Sequence, residues 1–193
     1  WHMESTKNIL EFKNITKKYA GVVALDNVSL AFRAGEVHAL AGENGAGKST
    51  LIKSTTGAVI PTSGTILIDG KEYTNNLTPA IAKEQGVAVI YQEFNLVNDI
   101  SIAENVFLGS PIRTHGMIDM KAMVSESQKI FDQLGINIDV TANVRTLTTG
   151  YQQLVEIAKA LSHKVKILVM DEPSASLTTN EVEIMFKKIK KLK

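Results

Sequence analysis

An α/β fold is predicted, and three observations predict it. Residues 8 to 73 alternate short apolar runs with turns, the mark of an antiparallel β lobe. Val87-Ala88-Val89-Ile90-Tyr91 and Ile167-Leu168-Val169-Met170 are unbroken apolar runs, the kind buried on both faces of a parallel sheet. Between residues 102 and 161 apolar positions recur at helical spacing. The expected architecture is therefore an antiparallel β lobe, a mostly parallel core sheet and a small helical subdomain at about residues 93–162.

In the β lobe the runs are Ile9 to Phe12, Val28 to Phe32, Val37 to Ala41, Thr65 to Ile68 and Glu72-Tyr73. Asp69-Gly70 separates the last two and is a strong two-residue hairpin signal. Leu51 to Thr56 reads as helix, closed by Gly57 and then Pro61. Pro79 to Gln85 reads as a short helix with Thr78 as its cap and proline at its first position. Two further helices are expected over Ile102 to Leu108 and Met120 to Leu134, the second stopped by Gly135, which makes the middle an all-helical insertion. Tyr151 to Leu161 places Leu154, Ile157, Ala158 and Leu161 on one face, with Thr148 to Gly150 leading in. Asn180 to Lys193 places Val182, Met185, Phe186 and Ile189 on one stripe. Its lysines at 187, 188, 190, 191 and 193 read as a solvated face near a helix C-terminus.

The chain has 193 residues, enough for one domain with a real core, read here as 4–193; Trp1-His2 ahead of Met3 reads as a tag remnant. With 21 basic and 20 acidic residues, charge points to neither a nucleic-acid surface nor a membrane face. The absence of cysteine excludes disulfides, zinc-thiolate sites and thiol catalysis. His2, His38, His115 and His163 show no metal-ligand spacing. No apolar stretch reaches the roughly 18 residues needed to span a bilayer, and the N-terminus lacks the apolar centre of a secretion signal, so a cytosolic location is expected.

The chemistry is concentrated in Gly42-Glu43-Asn44-Gly45-Ala46-Gly47-Lys48-Ser49-Thr50, which fits G-x-x-x-x-G-K-[S/T]. Glycines let a loop curl so that successive N–H groups face one anion, and the positive end of the following helix adds to the attraction. Lys48 is placed to reach the β- and γ-phosphates and Ser49 a Mg²⁺. The run Val37 to Ala41 supplies the strand before the loop and Ser49 to Lys53 the helix after it. Asp171-Glu172, delivered at the end of the run Ile167 to Met170, then read as a metal-site carboxylate and a candidate base. Together these motifs predict a P-loop NTPase that binds and hydrolyses ATP.

The order phosphate loop, Gln92 after a strand, helical insertion, Leu147-Thr148-Thr149-Gly150-Tyr151-Gln152, and Asp171-Glu172-Pro173-Ser174-Ala175-Ser176-Leu177-Thr178 resembles the ATP-binding cassette (ABC) family over nearly the whole chain. Ser101-Ile102-Ala103-Glu104-Asn105-Val106-Phe107-Leu108-Gly109 and Val155-Glu156-Ile157-Ala158-Lys159-Ala160-Leu161 look closest to the ribose/galactose/xylose-type sugar importers, whose ATPase subunit carries two cassettes in tandem. This chain is similar to the first of them. The resemblance implies that Tyr19 stacks on adenine and that Gln92 touches Mg²⁺ and the attacking water. It implies further that Asp171 holds Mg²⁺ through water and that Glu172 polarises the nucleophile. Gly42, Asn44, Gly45, Gly47, Lys48, Ser49 and Thr50 would hold the phosphates, with Ser49 also on the metal. Thr148 and Gly150 would contact ATP held by an opposite cassette.

Two departures stand out. The segment Leu147 to Gln152 differs from the family's Leu-Ser-Gly-Gly-Gln, with Thr148 for serine, Thr149 for the first glycine and Tyr151 for glutamine. The family also places a further strand and a γ-phosphate-contacting histidine beyond the segment Ala175 to Thr178, so the resemblance implies missing C-terminal strands. Losing one such donor removes roughly 3 kcal/mol of transition-state stabilisation, and poor hydrolysis beside retained ATP binding is expected of the chain.

As partners the resemblance implies transmembrane permease subunits, a second cassette in tandem or as a dimer, and indirectly a periplasmic or extracellular sugar-binding protein; nucleic acid is not expected. The place would be peripheral, on the cytoplasmic face of a bacterial membrane. A soluble ABC-type ATPase acting on ribosomes or DNA is one alternative, disfavoured because only 54 residues separate Gln92 from Leu147. A non-catalytic nucleotide-binding module is another, opposed by Glu172.

Overall fold

The computed structural model describes residues 7–91 and 94–171. Gln92, Glu172, the segment 173–178 and the expected helix 180–193 lie outside the described residues. The chain divides into two compact units, one drawn from residues 1–89 and 166–169, the other from 90–165 and 170–193.

In the first unit four strands, β1 (Asn8–Tyr19), β2 (Val22–Arg33), β3 (Ser63–Ile68) and β4 (Lys71–Tyr73), form one antiparallel sheet in the order β2-β1-β3-β4. The turn between β3 and β4 is the expected one. Asp69 (φ 51) and Gly70 (φ 82) are both left-handed, which gives the type I′ geometry whose twist matches that of the strands. Helix α1 (Lys48–Thr55) supplies Leu51 to the core beneath the sheet, where Phe12, Ile15, Ile66 and Ile68 are almost wholly buried. Helix α2 (Pro79–Glu84) starts as its sequence dictates, with the Ile81 amide donating to Thr78 Oγ1 at 3.3 Å and proline in the first turn.

The β1–β2 register shifts at four places, and the two in the middle of the ribbon oppose each other. Between the pairs Phe12↔Leu30 and Ile15↔Val28, β1 carries one extra residue; between Ile15↔Val28 and Lys17↔Leu25, β2 carries one. Asn14 (φ 53) and Asn27 (φ 50) occupy these bulges, and Asn14 Nδ2 donates to Asn27 Oδ1 at 2.9 Å. Asparagine tolerates the left-handed region that a bulge demands.

Strands β5 (Val87–Ile90) and β8 (Ile167–Met170) pair as a two-stranded sheet. Its hydrogen bonds advance in step, Ile167 N to Gly86 O at 3.1 Å and Asp171 N to Ile90 O at 2.9 Å, so the pair is parallel. The expected strand over Val37 to Ala41 is not there. Residues 34 to 46 are exposed and irregular, with Val37 54% and Leu40 39% accessible. An apolar run becomes a parallel strand only when neighbours satisfy its amides and cover both faces, and among the described residues none pairs with it.

In the second unit α3 (Ile102–Val106) begins with a full capping box. Glu104 N donates to Ser101 Oγ at 3.2 Å, and Ser101 N donates back to Glu104 Oε2 at 2.9 Å. The Ser101 hydroxyl, which donates to Glu104 Oε2 at 2.6 Å, and after it the Ser101 amide hold the Glu104 carboxyl below its ordinary pKa. The insertion is not all helical. A short hairpin of β6 (Arg113–Thr114) and β7 (Met117–Ile118) precedes α4 (Met120–Gln133), turning at His115 (φ 53) and Gly116 (φ 84). Two residue pairs are too short to leave an alternating pattern, so periodicity could not reveal them. Asp119 caps α4 by accepting from Ala122 N at 2.9 Å. A single 3₁₀ turn, Val144–Thr146, leads toward α5 (Thr149–Leu161), which starts two residues earlier than its apolar stripe indicates. Phe131, Ile102, Val106, Val155 and Ile157 are buried in this unit. No described helix is long and apolar enough to cross a membrane.

Candidate nucleotide site

The phosphate loop is shaped by two left-handed glycines. Gly45 has φ 83 and Gly47 φ 89, conformations that carry a steric penalty for any residue with a Cβ. At Gly47 a second constraint applies, because a Cβ there would stand 2.4 Å from the Ala24 carbonyl oxygen and 2.8 Å from Leu25 Cδ2. Only glycine lets β2 pack so closely on the loop.

Gly47 also stands at the N-cap of α1, where it has no side chain to cap the helix; the first intrahelical bond is Leu51 N to Gly47 O at 2.9 Å. The amides of Gly47, Lys48, Ser49 and Thr50 thus precede the helical ladder and have no acceptor within it. No acidic residue lies in the first turn to offset the positive end of the helix dipole. Lys48 arches back over the loop, and its ammonium donates to Gly42 O at 2.7 Å and Glu43 O at 2.9 Å. The result is a curl of donors with a cation at its mouth. Its chemistry suits a polyphosphate, and the Ser49 hydroxyl, exposed beside it, is an oxygen donor suited to a hard divalent cation.

Gly42, Asn44, Gly45, Gly47, Lys48, Ser49 and Thr50 are therefore gathered in one loop and helix start. Tyr19 ends β1, paired with Val22 across the hairpin and 47% exposed, with Lys17 Nζ 5.0 Å from its ring centroid. Because Ala24 and Leu25 of the same hairpin abut Gly47, the ribbon that carries Tyr19 belongs to the wall of the loop. Three expected residues belong to the second unit. Asp171 directly follows β8, its amide bonded to Ile90. Thr148 is the exposed N-cap residue of α5 and Gly150 is buried in that helix's first turn. Gln92 and Glu172 are not among the described residues. No described group of three or more His, Asp or Glu side chains forms a ready-made metal cluster.

One arrangement in the second unit has no counterpart in the sequence analysis. Glu156 on α5, 8% exposed, accepts the Asn95 amide on Oε1 at 2.7 Å, and Lys159 one turn later donates to the Asn95 carbonyl at 2.7 Å. Asn105 of α3, fully buried, accepts the Val97 amide at 2.8 Å and donates to the Val97 carbonyl at 2.9 Å. By pattern alone Glu156 and Lys159 are two ordinary polar helix positions. Only the fold shows that a backbone segment lies across them.

A sequence profile described as ABC transporter matches residues 25–175, more than half of the chain. The chain belongs to the ABC transporter family. Among curated ABC proteins it is 47% identical over 190 residues to a ribose import ATP-binding protein, RbsA 2, of Streptomyces coelicolor; the match covers 98% of this chain and 36% of that protein. It is 49% identical over 177 residues to a xylose import ATP-binding protein, XylG, of Geobacillus kaustophilus, covering 90% of this chain and 35% of that protein. The chain thus spans about a third of the length of the relatives it matches. Among solved structures it resembles the ADP conformation of an ATP-binding cassette of an ABC transporter, with TM-score 0.85 and 29% identity over 97% of this chain and 77% of that one. The P-loop NTPase fold of an ABC cassette, with its antiparallel sheet, parallel pair and helices, is therefore the fold of this chain.

Proposed function

We propose that this cassette binds Mg²⁺-ATP and hydrolyses it to drive sugar import through a transmembrane permease. The observation that carries the proposal is the loop itself, with four amides free of the helical ladder at Gly47 to Thr50 and the Lys48 ammonium held across the mouth. In this reading Gly42, Asn44, Gly45, Gly47 and Thr50 line the phosphates, Lys48 reaches the β- and γ-phosphates, and Tyr19 stacks on the base. Ser49, Gln92 and Asp171 serve the metal, which when bound neutralises the developing phosphate charge. Glu172 orients and polarises the attacking water, and Gln92 assists it. Thr148 and Gly150, at the start of α5, present a helix N-terminus to nucleotide held by a second cassette.

The sugar-import reading rests on likeness to the two curated relatives, a ribose and a xylose import ATP-binding protein. The partners it entails are permease subunits, a second cassette in tandem or as a dimer and, indirectly, an extracytoplasmic sugar-binding protein. The cassette would sit peripherally on the cytoplasmic face of the membrane. Calorimetric titration of the chain with Mg²⁺-ATP tests the core of the proposal: saturable heat is expected, and no heat at millimolar nucleotide with an intact circular dichroism spectrum rejects it. Glu172→Gln is expected to retain binding while abolishing phosphate release; unchanged release would remove Glu172 from its role.

A further inference from the structure

Residues Asn95 to Val97 form no helix or strand, yet their backbone is held from both sides by side chains. Glu156 and Lys159 take the Asn95 amide and carbonyl, and Asn105 takes the Val97 amide and carbonyl. Asn105 Nδ2 also donates to Ser101 O at 3.0 Å, so this side chain is fully engaged. Irregular backbone normally leaves such groups to water. Here a nearly buried carboxylate is committed to one backbone amide, which is a charge-assisted bond and among the stronger kind. At the other end of the stretch, the Ile90 carbonyl accepts from Asp171 N at 2.9 Å.

In the sequence Gln92 precedes Asn95 by three residues. α5 begins at Thr149, next to Thr148. Glu156 and Lys159 therefore join α5, which starts within the segment Leu147 to Gln152 and is called the signature helix below, to the backbone that follows Gln92 in the sequence. We propose that Glu156 and Lys159 are positioning residues that hold the segment after Gln92 against α5, so that this segment and the signature helix respond to nucleotide as one piece. The inference rests on the ATPase reading above. The two residues touch neither nucleotide nor metal and act through Asn95.

The test uses the whole chain with Glu156→Ala, Lys159→Met and the conservative Glu156→Gln, whose amide oxygen still accepts from Asn95. Hydrogen exchange at the Asn95 amide is expected to accelerate at least tenfold in Glu156→Ala and to stay near the parent in Glu156→Gln. Single-turnover phosphate release with Mg²⁺-ATP, followed for hours, is expected to slow at least tenfold in Glu156→Ala and Lys159→Met, with the half-saturating ATP concentration within twofold of the parent and with rescue by Glu156→Gln. Unchanged Asn95 exchange overturns the proposal. So does faster exchange with undiminished turnover, or a parent that binds Mg²⁺-ATP without turning it over. A parent that fails to bind Mg²⁺-ATP at all rejects instead the reading of residues 42–50, which makes the two failures distinguishable.

Discussion

Asp69 accepts a hydrogen bond from Lys166 Nζ at 2.7 Å across 97 positions of sequence, and its other carboxyl oxygen accepts one from Lys7 at 2.7 Å. The Lys166 bond, followed by that of Lys7, lowers the Asp69 pKa to about 2. A carboxyl depressed by folding stabilises the native state above its unfolded pKa, near 3.9. That contribution fades as the pH falls from about 4 through about 2. Asp69→Asn retains a residue that tolerates the left-handed turn but removes the charge. Urea midpoints measured between pH 7 and pH 2 are expected to fall with acid in the parent and to fall less steeply in the variant. Parallel curves would remove the contribution assigned to Asp69.

Gly47→Ala introduces a methyl 2.4 Å from the Ala24 carbonyl at a backbone φ of 89. Strain of this kind costs on the order of 1–3 kcal/mol and must displace β2 or the loop. Gly45→Ala meets no atom within 4 Å and carries only the left-handed penalty, roughly 1–2 kcal/mol. Denaturation combined with nucleotide titration is expected to rank Gly47→Ala as the more damaging in both stability and ATP affinity. The reverse order would contradict the close packing of β2.

Lys48→Ala removes a cation from the mouth of the loop while leaving the core untouched. Charged hydrogen bonds contribute roughly 1.5–3 kcal/mol, so ATP affinity is expected to fall by about 10- to 150-fold. Because the ammonium's partners are exposed loop carbonyls, the urea midpoint is expected to stay close to the parent's. Calorimetry beside denaturation checks both halves.

Tyr19→Ala is expected to weaken ATP binding by about 1–3 kcal/mol and GTP binding by a similar amount, since stacking uses the face that every base has. Tyr19→Phe keeps the ring and is expected to bind as the parent does. Competition titrations with the two nucleotides would expose a specificity role if only one of them weakened.

The parts of this fold that were legible share one property: their determinants are local. Asp69-Gly70 dictates its own turn, Thr78-Pro79 its own helix start, and Gly42 to Thr50 the phosphate curl, because the residues that shape each lie within one short stretch of sequence, although the close approach of Ala24 to Gly47 does not. Val37 to Ala41 misled because a strand is a property of its neighbours, and the apolar run alone does not supply them. The β6–β7 hairpin was too short for periodicity to register, and His115-Gly116 is a weak turn signature. Glu156 escaped notice for a different reason. Its partner is a main-chain amide 61 positions away, and no side-chain pattern reports where a backbone will pass.

The paired bulges at Asn14 and Asn27 bear on how this ribbon can change length. Since one supernumerary residue on each strand cancels the other, Lys17 and Leu25 meet in the same phase as Phe12 and Leu30. Deleting either asparagine alone would leave one end of the hairpin a residue out of phase with the other, dislodging either the Tyr19 tip or the pairing of β1 with β3. Removing both would keep the ends matched. Indels in this part of the cassette are therefore expected to arise as coupled events on the two strands, with single ones eliminated.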